Sequence, residues 1–230
     1  MSKPVFLLFC LLPPLFLSCG EVKKEITTKD VFPVIELIAP AGDSIATTTL
    51  LAFSKTHDLP AGSVYRWKNH AVIYTMSNQT ELPEETVKTA FPGADVKLYE
   101  TPFYHFNRRL CKDATGAGEC ENILLTASLV ADTVLQNEYL NYHKIQFKEW
   151  PEVSAGFCNA DFRHLLVYRN QRQLMLIISI PKGKTLDELN PRTTENNPRM
   201  DDWNKLMTKY QEGIPGTAPG ETWVFLKPIN

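Results

Sequence analysis

The stretch that decides the fold is RHLLVYRNQRQLMLIISI, residues 163–180, in which two apolar runs flank the polar residues RNQRQ. Short apolar runs on either side of a polar turn are typical of a β-hairpin. The hairpin therefore predicts an antiparallel sheet, and the segments on either side of it decide which kind.

The segments around this hairpin alternate between strand and helix patterns. Before it, residues 122–131 (NILLTASLVA) are predicted to form a strand and residues 134–156 a helix. After it, a Pro- and Asn-rich loop leads to a predicted helix over 199–211, which has apolar residues at helical spacing. Residues 221–229 (ETWVFLKPI) close the pattern as a strand. The order βαββαβ is that of a split, ferredoxin-like α+β module.

The first half of the chain repeats this order with little residue identity. Its predicted elements are, in order, a strand in PVIELIAP, a helix over 44–57, a hairpin over 63–77, a helix over 82–91 and a strand over 95–106. Each module would bury one sheet face under helices and leave the other bare. The bare faces can stack within one chain, giving a dimeric-type α+β barrel as an internal pseudo-dimer, or they can pair between two chains in a homodimer.

The N-terminus has the pattern of a bacterial secretory signal. Lys3 precedes an apolar run that contains Pro13 and Pro14 and ends at Cys19. The Ser18-Cys19-Gly20 sequence indicates lipoprotein processing with lipid on Cys19; ordinary secretion with full removal of the signal is the alternative. We therefore expect a lipid-anchored protein of the bacterial cell envelope, facing the periplasm or the cell surface.

The predicted organisation has five parts. They are a lipoprotein signal peptide over 1–19, a flexible tether over 20–32, an N-terminal ferredoxin-like module over 33–110, a loop over 111–121 and a C-terminal module over 122–230.

Cysteine usage fits an exported protein. Cys111 and Cys120 flank the polar, glycine-containing segment KDATGAGE, and the sequence predicts that they can close it as a disulfide. Cys158 is predicted to be a buried, apolar-like residue. No histidines stand at metal-ligand spacing beside these cysteines, so we predict no metal site.

Composition and motifs exclude several functions. The formal net charge is −2, which gives no electrostatic basis for nucleic-acid binding. The sequence contains no glycine-rich phosphate loop, catalytic-serine elbow or paired-histidine metal motif, so no cofactor is expected.

The segment NEYLNYHKIQFKEWPE, residues 137–152, places a histidine among aromatic residues. Tyr139, His143, Phe147 and Trp150 lie at helical spacing, and Tyr139 and His143 are one turn apart on the same face. An inward-facing histidine is either a hydrogen-bonded core residue or an acid–base group, since its ordinary pKa near 6.5 makes both protonation states available.

Several short runs in the second half resemble the L-rhamnose mutarotase family. They are EYLNYH (138–143), WPE (150–152), the hairpin, DWNKLM (202–207) and ETWVFLK, in the family's order and spacing. The family's members are small ferredoxin-like proteins that interconvert the anomers of L-rhamnose. The resemblance begins at about residue 122 and covers roughly half of the chain after the signal. It implies a C-terminal mutarotase-like module acting on L-rhamnose or a related monosaccharide.

The resemblance also implies a set of site residues. His143 matches the family's proton donor, Tyr139 its first-helix tyrosine, and His164 falls near its second substrate-contacting tyrosine. Trp203 stands where the family has two adjacent tryptophans, and Trp150 is a further candidate sugar-stacking ring. About three additional residues separate His143 from Trp150 compared with the family pattern. The alternative function is a non-catalytic carbohydrate-binding or protein-interaction lipoprotein.

One segment of the first half combines aromatic and basic residues. FYHFNRR, residues 103–109, is both aromatic and basic. Its sequence is compatible with two roles, a pocket wall or a sheet edge protected by charge.

Overall fold

The computed structural model describes residues 32–75, 82–114 and 118–229. The predicted signal peptide, Cys19 and nearly all of the predicted tether lie outside these residues.

The N-terminal half forms strands and helices in the order βαββαβ. They are β1 (Val34–Ile38), α1 (Thr47–Thr56), β2 (Val64–Trp67), β3 (His70–Tyr74), α2 (Glu84–Ala90) and β4 (Asp95–Tyr99). Lys68 adopts a φ of 49° in the tight turn that joins β2 to β3. The four strands pair in the order β4-β1-β3-β2, with every pair antiparallel.

The remaining elements follow from β5 onward. They are β5 (Tyr104–Asn107), β6 (Cys120–Leu129), α3 (Thr133–Glu149), α4 (Pro151–Asn159), β7 (His164–Asn170), β8 (Gln173–Pro181), α5 (Leu186–Leu189), α6 (Pro198–Met207), β9 (Gln211–Glu212) and β10 (Val224–Pro228). Short 3₁₀ turns span Arg108–Leu110, Asn190–Thr193 and Thr208–Tyr210. The decisive hairpin is therefore β7–β8.

The single helix predicted over 134–156 is two helices. Trp150 has φ −135° and ψ 53°, which is not helical, and Pro151 opens α4. A residue that precedes proline is pushed away from the helical region by a clash with the proline ring. The chain therefore turns at Trp150 and starts a second helix.

Among the described residues, the strands form one sheet in the order β4-β1-β3-β2-β10-β6-β8-β7-β5, with β9 paired to β6. The two halves meet where Lys227 and Pro228 of β10 pair with β2. β7 also lies next to β4, and the Asn170 Nδ2 group of β7 donates a hydrogen bond to the Leu98 carbonyl oxygen of β4 at 3.1 Å. The sheet is thus curled, and the prediction of an α+β fold of the ferredoxin-like barrel type is confirmed.

Each strand sends alternate side chains to the two faces of the sheet. In β7, Leu166 and Tyr168 belong to a cluster on the inner face of the curl, which also contains residues of β1, β2 and β3. Leu165 and Val167 belong to a second cluster on the outer face, under α3, α4 and α6. A third cluster lies between the N-terminal strands and α1 and α2. The sheet therefore separates two different environments in the C-terminal half.

The division into two modules, over 33–110 and 122–230, stays a prediction. The sheet runs without a break from β2 into β10. The single strand predicted over 95–106 is two strands, because β4 pairs with β1 whereas β5 pairs with β7 of the C-terminal half. Each half therefore contributes strands that complete the other.

Candidate active site

Helix α3 begins at a well-formed cap and buries a polar face. The Asp132 side chain accepts hydrogen bonds from the Val134 and Leu135 backbone N–H groups at 2.8 and 3.3 Å, which satisfies donors that the first turn leaves free. The residues that α3 buries are Gln136, Tyr139, His143 and Gln146. Their spacing of three or four residues puts them on one face, so the helix turns amide, phenol and imidazole groups toward the sheet.

His143 is held in a defined tautomer. Its Nδ1 atom lies 2.9 Å from the Tyr139 carbonyl oxygen. Because a carbonyl only accepts, Nδ1 carries the proton in the neutral ring, and Nε2 keeps its lone pair. The hydrogen bonds of the described residues include none to Nε2. The imidazole is therefore oriented as a base.

Four aromatic rings surround this imidazole. The distances between ring centres are 4.3 Å to Tyr139, 5.2 Å to Tyr104, 5.2 Å to Trp203 and 5.5 Å to Phe103. Only 7% of His143 is exposed. Burial lowers the pKa of His143 to about 4, and the hydrogen bond to Tyr139 opposes this change only in part. The ring is therefore neutral at physiological pH.

Tyr139 is itself fixed at its polar end. Its hydroxyl accepts a hydrogen bond from Gln211 Nε2 at 3.1 Å, and Gln211 Oε1 accepts one from Trp223 Nε1 at 3.1 Å. Burial raises the pKa of Tyr139 well above its usual value. The phenol thus stays protonated beside the imidazole.

The two tryptophans predicted for the site stand in a row that leads away from His143. Trp203, on α6, contacts His143 edge-on, and the centre of the Trp150 ring lies 5.6 Å from that of Trp203. The Arg199 guanidinium lies 3.8 Å from the centre of the Trp150 ring, a cation–π contact. Tyr139 and Trp203 therefore contact His143 directly. Trp150 contacts Trp203 and joins the cluster through that ring.

The structure does not bring His164 to this cluster. His164 alternates with Leu165 in β7, so it shares the inner face with Leu166, whereas Leu165 lies on the face of Tyr139. Its ring contacts His105, with Nε2 of His105 and Nδ1 of His164 3.3 Å apart. A position inferred from motif spacing at the start of a strand is sensitive to a shift of one residue, and such a shift changes the face.

The predicted Cys111–Cys120 disulfide is wrong. Cys111 is bonded to Cys158, with Cα atoms 5.8 Å apart, and Cys120 is a free thiol. The reason lies in the sheet order, since β7 and β8 separate β5 from β6. Three strand spacings of about 4.8 Å far exceed the reach of a disulfide. Cys158, predicted to be apolar core, instead ties α4 to the segment after β5.

The sequence leaves the role of residues 103–109 open and does not single out Gln146. Phe103 and Tyr104 lie on the His143 side of the sheet, where both rings contact the imidazole. Gln146 is fully buried and accepts a hydrogen bond from the Tyr104 hydroxyl at 2.6 Å. The aromatic character of residues 103–106 was the available signal for a wall of the site.

In the part of the chain that the structure describes, no helix is both long enough and apolar enough to cross a membrane. Within the same part of the chain, no group of three or more His, Cys, Asp or Glu side chains is arranged to hold a metal ion.

The fold and this cluster together describe an α+β barrel protein with a buried histidine set among aromatic side chains. Residues 125–230 match the family model described as L-rhamnose mutarotase. An L-fucose mutarotase of Xanthomonas campestris pv. campestris is 30% identical over 93 residues, which cover 40% of this chain and 72% of that protein. A UPF0734 protein of Dictyostelium discoideum is 28% identical over 98 residues, covering 41% and 76% of the two chains.

The chain belongs, through its C-terminal half, to the L-rhamnose mutarotase family. This membership supports an enzymatic role on sugars. It covers α3, α6 and the β7–β8 hairpin, which together carry His143, Tyr139 and Trp203.

Proposed function

We propose that the protein is a sugar mutarotase whose substrate is L-rhamnose or a related 6-deoxy-L-hexose. The observation that carries the proposal is the fixed tautomer of His143, with Nδ1 bonded to the Tyr139 carbonyl and Nε2 available as a base within an aromatic cluster. The family model and the L-fucose mutarotase relative support the substrate class.

The reaction needs only proton transfers. In the proposed step, Nε2 of His143 takes the proton of the anomeric hydroxyl, the bond between the anomeric carbon and the ring oxygen breaks, and the ring oxygen receives a proton from a hydroxyl donor or water. Rotation about the bond to the anomeric carbon and reversal of these transfers gives the other anomer. General acid–base assistance of this kind typically contributes about 10²–10⁴ in rate.

The surrounding rings suit the apolar face of a deoxy sugar. Tyr139 and Trp203 contact the imidazole directly and are the proposed stacking surfaces, and Trp150 extends the row. A 6-deoxy sugar presents a methyl group, which favours such an aromatic surface. The proposed substrate specificity therefore rests on these rings.

The test is anomer exchange followed by saturation-difference NMR, with L-rhamnose, L-fucose and a panel of other monosaccharides. We expect exchange above the uncatalysed rate for a 6-deoxy-L-hexose and a loss of about a hundredfold in His143→Asn. His57→Asn, at the end of α1 in the other half, is the control and should keep full activity. No exchange above the uncatalysed rate with any sugar would reject the enzymatic role.

The burial of His143 favours a second candidate, a non-catalytic carbohydrate-binding protein. Only 7% of the residue is exposed, which suits a structural histidine as well as a catalyst. In this case sugars bind without exchange, and His143→Asn leaves their affinity nearly unchanged. The same NMR experiment separates the two functions.

We also propose a lipid-anchored location in the bacterial cell envelope, as the sequence of the N-terminus suggests. The Cys111–Cys158 disulfide supports this, since disulfides persist mainly in exported proteins. Expression with a radiolabelled fatty acid tests it. Label should appear in the protein and disappear in Cys19→Ala, whereas an unlabelled wild-type protein would contradict lipidation.

A further inference from the structure

Two elements of the chain meet at His143. One is β5, which lies outside the matched residues 125–230. The other is the C-terminal part of α3, which runs through Glu149 and lies inside the matched residues. This part of α3 supplies Gln146 and Phe147, and both contact Tyr104 of β5.

The contacts between the two elements are specific. The Tyr104 hydroxyl donates to Gln146 Oε1 at 2.6 Å, and its ring stacks on that of Phe147 with centres 5.4 Å apart and planes 9° from parallel. The edge of the same ring meets the imidazole of His143, with an angle of 83° between the planes. Tyr104 therefore joins the last turn of α3 to the histidine.

Gln146 extends this connection to the next helix. Its Nε2 group donates to the Trp150 carbonyl oxygen at 2.6 Å and lies 3.2 Å from Ser154 Oγ of α4. Both ends of a fully buried amide are thus occupied, and an amide so placed is costly to leave unpaired. A single side chain links β5, α3 and the break at Trp150.

We propose that Tyr104 is a positioning residue of the active site, which holds the imidazole of His143 in its productive orientation through the Gln146 hydrogen bond. This inference rests on the proposed function, because orientation matters for catalysis. It means that the site in the C-terminal half is complete only with β5, a strand contributed from outside the family segment.

The hydroxyl is suited to a permanent structural role. Burial raises the pKa of Tyr104 far above its ordinary value, so the hydroxyl remains a donor at neutral pH. The strand that carries it is also anchored. The Cys111–Cys158 disulfide joins the end of this segment to α4, and the Phe103 backbone N–H donates to the Val167 carbonyl oxygen at 2.9 Å.

The test compares Tyr104→Phe with Tyr168→Phe. Tyr168 is an equally buried tyrosine whose hydroxyl donates to the Phe32 carbonyl oxygen at 2.8 Å, but it lies on the inner face of the sheet. We expect Tyr104→Phe to lower kcat about tenfold or more with KM changed less than about twofold, since small misplacements of a catalytic group are costly. Tyr168→Phe should keep kcat within about twofold.

Two kinetic outcomes overturn the proposal. One is an equal kcat in the two variants. The other is a raised KM with unchanged kcat, which would make Tyr104 a substrate contact. Gln146→Met removes the acceptor of the same hydrogen bond, together with the bonds of Gln146 to Trp150 and Ser154, and serves if Tyr104→Phe does not fold. Where both single variants fold, the double variant should lose little more kcat than Gln146→Met alone, because Gln146→Met already removes the bond to Tyr104.

A spectroscopic measurement keeps this inference separate from the proposed function. The ¹H and ¹³C shifts of the His143 imidazole depend on the orientation of this ring among the surrounding aromatic rings. We expect these shifts to match the wild type in Tyr168→Phe and to change in Tyr104→Phe, which keeps the neighbouring ring but loses the hydroxyl. If the wild type shows no exchange with any sugar, the proposed function fails, while unchanged His143 ring shifts in Tyr104→Phe overturn the positioning role.

Discussion

At the scale of single residues, the state of His143 follows from where α3 puts it. Position 143 lies one turn after Tyr139, so Nδ1 reaches the Tyr139 carbonyl within the same helix, and the ring then points into a cluster of aromatic side chains. Aromatic surroundings provide little solvation for an imidazolium ion. The imidazole is consequently a neutral base with a fixed proton, which suits the removal of a proton from a hydroxyl group.

The pH dependence of activity should reveal this environment. Burial lowers the pKa of His143 to about 4. Protonation of Nε2 removes the base, so kcat/KM should stay level from neutral pH down to about 5 and fall as the pH drops through about 4. Measurement of anomer exchange between about pH 8 and 3.5 checks this. An acid limb near the ordinary histidine pKa of 6.5 would show that the imidazole is solvated instead.

Part of this site could be predicted from the sequence. The four-residue spacing of Tyr139 and His143 places them on one helix face, and motif resemblance added Trp203. The lowered pKa could not be predicted, because it depends on Tyr104 and Phe103, which join the imidazole only when β5 pairs with β7. His164, a candidate from the resemblance, lies on the opposite face of the sheet from His143, and the strand pairings that decide this cannot be inferred from the motif alone.

At the scale of elements, the apolar periodicity of the sequence predicts where strands and helices lie. It does not predict which strands pair or which cysteines are bonded, because those contacts join residues that are far apart in sequence. The β7–β8 hairpin and α6 lie close to where periodicity places them. The disulfide does not join the two cysteines that are nearest in sequence, because Cys111 is bonded to Cys158 and not to Cys120. Cys111 and Cys120 are separated by a short polar loop in the chain, but this loop carries the chain from the sheet edge at β5 to β6 in its interior.

The disulfide should make a measurable contribution to stability. It closes a segment of 47 residues in sequence separation. Cross-links of this kind typically stabilise a protein by about 2–4 kcal/mol, so the double variant Cys111→Ser/Cys158→Ser should lose about that much free energy of unfolding in urea. Cys120→Ser, which removes a free thiol, is the control and should change it by less than about 0.5 kcal/mol.

Mass spectrometry of an unreduced digest provides the direct check on this pairing. A cross-linked peptide pair containing Cys111 and Cys158 is expected. A pair containing Cys111 and Cys120 would contradict the observed connection.

At the scale of the whole molecule, a buried carboxylate joins the two halves. Glu36 of β1 is fully buried and accepts hydrogen bonds from Tyr99 OH at 2.7 Å and from Gln173 Nε2 at 2.8 and 2.9 Å. His70 Nδ1 lies 2.8 Å from the same carboxylate. Gln173 belongs to β8, and its Nε2 group also lies 3.2 Å from Thr126 of β6. The N-terminal carboxylate is thus satisfied partly by the C-terminal half.

The repeated βαββαβ order was visible in the sequence, but this connection was not. In VIELI, the one charged residue of an otherwise apolar strand gives no indication of its partners. Gln173 stands at the start of β8, far along the chain, and only the curling of the sheet brings it to Glu36. Sequence patterns thus described each half, whereas contacts between the halves required the complete fold.

Removal of this carboxylate should therefore weaken the whole molecule. Glu36→Ala leaves three buried donors, on His70, Tyr99 and Gln173, without their acceptor, and buried unpaired donors cost about 1–3 kcal/mol each. We expect a loss of about 3 kcal/mol or more in the free energy of unfolding, measured by urea denaturation. Glu85→Ala, on the exposed side of α2, should change the free energy of unfolding by less than about 0.5 kcal/mol.

The same network predicts that the two halves unfold together. Fluorescence and circular dichroism should therefore report one shared unfolding transition in the wild type. Two separate transitions in the wild type would mean that the halves unfold independently.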